Sequence, residues 1–118
     1  MDIRDMGYAL RALSDTARLR ILEYLSGYDE ITVSELTKAL RISQPLASWH
    51  LRKLRRAQLI ITRREGRQVF CSLNRARLND TLQSLSQWCD GRSVRVLQSP
   101  TSLANPNESP VYQRGGGR

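Results

Sequence analysis

Residues 43–59 read SQPLASWHLRKLRRAQL, and the pattern is that of a helix with two different faces. Ser43 is a residue type that caps helix starts. Pro45 fits the first turn, where an amide has no intrahelical partner to lose. At 3.6 residues per turn, Ala47, Leu51 and Leu54 fall within about 60° of one another, the spacing of a core-facing stripe. Ser48, Trp49, Arg52, Lys53 and Arg56 fall on the far side. A tryptophan beside a bank of unpaired cations is poor chemistry for a face meant only for water.

Working outward from this helix, Thr32-Val33-Ser34-Glu35 fits a capping box that opens a short helix through Val33, Leu36 and Leu40. Arg41-Ile42 is then a tight connection between two helices. Further upstream, Ile3, Met6, Leu10 and Leu13 recur at helical spacing. Ser14 is placed to cap a second helix, with Asp15 in its first turn, a stripe of Ala17, Ile21, Leu22 and Leu25, and a stop at Gly27. Downstream, Leu59–Thr62 and Val69–Leu73 are β-rich and Glu65-Gly66 is a turn signal, which predicts a hairpin carrying Arg63, Arg64 and Arg67. Asn74 or Arg75 leads into a last helix with Leu78, Leu82, Leu85 and Trp88 on one side.

The expected fold is mainly α (α+β): a winged helix-turn-helix of about five helices with a two-stranded β-hairpin wing. Residues 1–90 are expected to form this winged-helix domain, which would then be the part that binds DNA and dimerises. Residues 91–118, with Pro100, Pro106, Pro110 and a terminal Gly-Gly-Gly-Arg, have the composition of a flexible tail.

Charge narrows the function. The chain of 118 residues has a formal net charge of +8, unevenly spread. Residues 41–77 hold ten Lys/Arg against one acid, Glu65, whereas residues 1–40 hold five against seven. So concentrated a basic block suits a polyanion, and nucleic acid is the commonest. No run of ~18 apolar residues marks a membrane span, and the N-terminus is too charged for a signal peptide. A reduced, cytoplasmic compartment is the default for two cysteines. One histidine, no serine-histidine-carboxylate arrangement and no phosphate-cradling glycine loop argue against an enzyme.

In a winged helix-turn-helix the second helix enters the major groove of double-stranded DNA, which assigns individual roles. Ser43 and Gln44 sit at a helix start suited to a phosphate. Gln44 can also pair with adenine, and Arg52 with guanine. Pro45, Leu46, Ser48 and Trp49 complete the groove face, with Leu46 positioned for a thymine methyl and Trp49 for DNA or for packing beside the wing. Lys53 and Arg56 suit backbone phosphates, as does Arg55. Arg63, Arg64 and Arg67 suit flanking DNA along the wing. His50 lies at the edge of the core stripe and reads as a structural or phosphate-contacting imidazole rather than a metal ligand.

The segments ALSDTARLRILEYL, VSELTKALRISQPLASWHLRKLRRAQLI and REGRQVFCSLN together resemble the ArsR/SmtB family of bacterial winged-helix repressors, over roughly residues 8–90. The most specific part is the pattern of Ser43, Gln44, Pro45, Ser48, His50, Leu51 and Leu54, followed by Gly66-Arg67. The resemblance implies a repressor that reads an inverted-repeat operator as a homodimer built on its first and last helices. Ile3, Met6, Leu10, Leu78, Leu82 and Leu85 are then the interface residues. The chain writes Ser14-Asp15-Thr16-Ala17-Arg18 where the family usually has Ser-Asp-Pro-Thr-Arg.

Many members of that family respond to metals, but the ligands are not in place here. Thr32 and Ser34 stand where arsenic and cadmium sensors carry a Cys-x-Cys pair, and hydroxyls do not replace soft thiolates. Asp80 is followed by Thr81 and Leu82 rather than by the histidine that a zinc site needs. No metal and no cofactor are expected. Cys71 and Cys89 leave a thiol-based redox or reactive-sulfur sensor as the alternative, and a protein-interaction module as a more remote one. An inducer, protein or small molecule, is left open.

Overall fold

In the computed structural model, residues 1–91 are described. The helices are α1 (Ile3–Leu13), α2 (Thr16–Leu25), α3 (Val33–Leu40), α4 (Gln44–Arg56) and α5 (Arg75–Asp90). The strands are β1 (Ile31–Thr32), β2 (Ile60–Glu65) and β3 (Gln68–Leu73). Two compact units divide the chain at Ser86/Gln87. Of the second, the described residues are the last turn of α5, where Trp88 and Cys89 are exposed, and Gly91 with φ 77°. The tail expected over 91–118 lies, apart from Gly91, outside the described residues.

The helix starts follow from their caps. Ser43 accepts the Leu46 amide at 3.2 Å. Thr32 and Glu35 form a reciprocal capping box, with bonds of 3.1 and 2.8 Å. Removing the hydroxyl with Thr32→Ala should cost about 1 kcal/mol of stability in a denaturant titration. The start of α2 differs from the expectation. Asp15, not Ser14, is the cap, accepting the Arg18 amide at 3.1 Å, while Ser14 closes α1 by donating to the Arg11 carbonyl. That amide bond holds the Asp15 carboxyl below the ordinary range. Between α3 and α4 the chain turns through Arg41 in the left-handed region, φ 57°.

Two residues of β1 add a third strand to the expected two-stranded wing, giving the antiparallel order β1-β3-β2. Ile31 pairs with Cys71 and Thr32 with Phe70, so the chain entering α3 is tied to the base of the wing. The β2–β3 register runs from Ile60↔Leu73 to Glu65↔Gln68. Gly66 and Arg67 make the tip, with Gly66 at φ 62°, where a glycine carries no steric cost.

The core gathers Ile21, Leu22 and Leu25 of α2, Leu36 of α3, Leu51 and Leu54 of α4, then Leu59, Ile60 and Cys71. Ala47 is also fully buried, so the inner face of α4 is the one its periodicity predicts. In α1 the buried side is Met6, Ala9 and Ala12. Met6 is only 5% exposed in the single chain, which corrects its assignment to a dimer surface: it packs within the protomer. Ile3 and Leu82 remain exposed, at 68% and 56%, and Leu10, Leu78 and Leu85 are half-buried.

Candidate nucleic-acid interface

Because Ala47, Leu51 and Leu54 turn inward, α4 must present its opposite face outward, and Gln44, Leu46, Ser48, Trp49, Arg52 and Arg56 are all exposed. Between this face and the wing runs an open groove. Gln44, Ser48, Arg52 and Arg55 of α4 line one wall, and Arg64 and Arg67 the other. Thr32 and Ser34, at the start of α3, close its end. Helix starts offer free amides to an anion, and the start of α3 lies in the wall of the groove. Among the described residues no carboxylate lies within 4 Å of Arg52, Arg55, Arg64 or Arg67, so the positive charge of the groove is uncompensated.

Arg63 behaves differently from its neighbours on the wing. Its Nε and Nη2 donate to the two carboxylate oxygens of Glu30, both at 2.9 Å, and Nη1 donates to Glu65 at 3.0 Å. Its guanidinium also lies 4.4 Å from the centre of the Phe70 ring. The pairing holds the Glu30 carboxyl below its ordinary range. Arg63 thus braces the wing against the segment before β1, and the charge left for an external anion is that of Arg64 and Arg67.

His50 is buried, with 5% exposure. Its Nδ1 accepts a hydrogen bond from Nη1 of Arg18 at 3.2 Å. Arginine can only donate, so in this arrangement the ring is neutral, with its proton on Nε2. Of the two roles expected for it, His50 therefore takes the structural one, buried behind the exposed face of α4 and bonded to Arg18. Trp49 is 44% exposed. Lys53 Nζ lies 4.8 Å and the Arg18 guanidinium 5.8 Å from its ring centre, and the His50 ring meets it edge-on. The indole thus acts as a platform that holds cations at the flank of the helix.

The thiols part company. Cys71 is fully buried on β3, and burial, with the Glu30 charge adding to it, pushes its pKa up to about 11. The thiolate is the reactive form, and burial disfavours it at Cys71. Cys89 is exposed. Among the described residues no group of three or more His, Cys, Asp or Glu side chains could hold a metal, and no helix is long and apolar enough to cross a membrane.

Residues 15–62, which span α2 to the start of the wing, match the model of the bacterial regulatory protein arsR family. The arsenical resistance operon repressor of Staphylococcus aureus is 35% identical over 86 residues, covering 73% of this chain and 82% of the relative. The chain belongs to the ArsR family. This ArsR-family protein is also 37% identical over 76 residues to the transcriptional activator HlyU of Vibrio cholerae, covering 64% and 69% of the two chains. Among solved structures it resembles an ArsR-like transcriptional regulator from Rhodococcus, with a TM-score of 0.69, 25% identity and coverage of 80% and 89%. The ArsR-family protein is accordingly a transcriptional regulator with a winged helix-turn-helix fold.

Proposed function

We propose that this protein is a homodimeric repressor that binds an inverted-repeat operator, with α4 in the major groove and the wing on flanking DNA. The observation that carries this reading is the uncompensated groove between the exposed face of α4 and the wing. In that arrangement Arg52 and Gln44 read base edges, Leu46 touches a thymine methyl, and Ser43 with Ser48 and Trp49 fixes the approach of the helix. Lys53, Arg55, Arg56, Arg64 and Arg67 meet phosphates, which supply affinity without sequence information. Residues 1–90 suffice for both DNA binding and dimerisation. Repression is the mode named for the S. aureus relative and activation the mode named for HlyU. A reporter fused to the protein's own promoter distinguishes them, since deletion of a repressor raises expression.

The direct test is titration against duplex DNA from the region upstream of its own coding sequence. Binding should weaken steeply as salt rises. Arg52→Ala should cost about 1–3 kcal/mol and relax preference at one base position, whereas Arg64→Ala should weaken all sequences alike. If both variants bind as the parent does, the helix is not in the groove.

A further inference from the structure

A second cleft lies on the other flank of α4, away from the wing. Tyr8, Arg11 and Ala12 of α1, Arg18 of α2, and Lys53 and Arg56 of α4 line it. None of these is acidic, so three exposed cationic side chains and one buried one converge on an opening with no carboxylate in its wall. At ~100° per residue, Lys53 and Arg56 sit on average about 100° round the helix from the Ser48, Arg52 and Arg55 positions. The two clefts therefore flank the outward ridge of α4 on opposite sides and share no residue.

Arg18 gives the cleft its character. It is 91% buried by its 9% exposure, and its guanidinium partners are neutral. Nε donates to the Ala12 carbonyl at 2.7 Å and Nη1 to His50 Nδ1 at 3.2 Å. Asp15, the nearest acid in sequence, accepts the Arg18 backbone amide instead, and among the described residues no carboxylate lies within 4 Å of the guanidinium. A buried cation is costly, and the Asp15 charge, which acts on Arg18 without a direct ion pair, offsets that cost only in part. An anion arriving at the mouth of the cleft offsets that cost and meets Arg11, Lys53 and Arg56 at the rim. The Tyr8 side chain, 47% exposed, adds an O–H donor there.

We propose that this cleft receives a phosphate of the DNA backbone, so that each recognition helix is gripped on both flanks, by the wing on one and by α1 on the other. The inference rests on the DNA-binding reading above. Continuity decides in favour of DNA over a free small anion. Lys53 and Arg56 belong to the same helix as the groove residues, and Lys53 packs on the exposed Trp49 ring. A strand that crosses the outward face of α4 from the groove meets Arg56 and Lys53 next.

The test uses the full chain and the upstream duplex, with Arg11→Ala and Lys53→Ala. Both side chains are exposed, and the ring contact that Arg11 makes is with the exposed Tyr8, so both variants keep the fold. Each should lower the slope of log K against log salt by about 0.9, the value for one lost phosphate contact, without changing base preference. Replacing backbone phosphates one at a time by neutral methylphosphonates should reveal a position that weakens the parent several-fold and leaves Arg11→Ala unaffected. Variants whose salt slope and methylphosphonate profile match the parent's would overturn the proposal. So would calorimetry showing that inorganic phosphate fills the cleft while the slope stays unchanged, which marks a free-anion site. A parent that binds no duplex overturns the DNA-binding reading and this one together, whereas a parent that binds and an Arg11→Ala variant with the parent's slope overturn this one alone.

Discussion

Leu82→Asp should yield a monomer that holds its operator about 10²–10⁴ times more weakly than the parent, the gain usually lost when a second linked binding event is removed. Leu82 is 56% exposed on α5 and Ile3 68% exposed on α1. Thr81 Oγ1 lies 3.8 Å from the Met1 sulfur, so the start of α1 sits beside the middle of α5. Met1, itself 42% exposed, Ile3 and Leu82 thus bring apolar surface to neighbouring positions on two helices. Such surface favours burial against a second copy around a two-fold axis, the commonest oligomeric arrangement. The proposed inverted-repeat operator requires that pairing to set two α4 helices one DNA turn apart. Sedimentation velocity should find the parent at twice the 13.5 kDa chain mass and Leu82→Asp at one. A parent that sediments as a monomer yet grips a single half-site tightly would refute the dimer.

The helix at residues 44–56 was legible because three local signals agree. Ser43 caps it, Pro45 sits where no amide is needed, and Ala47, Leu51 and Leu54 share a face. The misread features are decided by contacts that no local pattern carries. β1 is two residues long, too short for any periodicity, and Thr32 serves at once as strand and cap. Ser14 and Asp15 are adjacent capping types, and only the offset of three residues to the Arg18 amide selects Asp15. Arg63 reads as one more wing cation until Glu30, 33 residues away, is placed beside it. The edge-of-core position of His50 did announce a structural role, but its partner Arg18, 32 residues away, was not announced. Met6 turns inward because the alanines Ala9 and Ala12 make that side of α1 the narrower one, the side that can approach α2 and α4 closely. Local chemistry therefore placed the elements and the outward charge, while long-range pairing chose which cations remain free.

The two faces of α4 should separate cleanly under substitution. Leu54 is fully buried among residues of α2, α3 and the sheet. Leu54→Ala removes its packing and leaves a cavity that neighbours fill only in part, which costs about 2–5 kcal/mol. Domains of this kind have roughly 5–15 kcal/mol in hand, so the variant should unfold at a much lower urea concentration. The comparison has to be made at one protein concentration, because dimerisation adds to apparent stability by mass action. Leu46 is on the same helix, eight residues earlier, and is 43% exposed. Leu46→Ala removes little packing, so its urea midpoint should stay near the parent's. Its affinity for the operator should nevertheless fall, with the loss concentrated at a thymine, because an apolar contact to a base methyl disappears. Equal destabilisation by the two substitutions would mean that α4 is rotated from the orientation in which Leu54 faces the core and Leu46 the DNA.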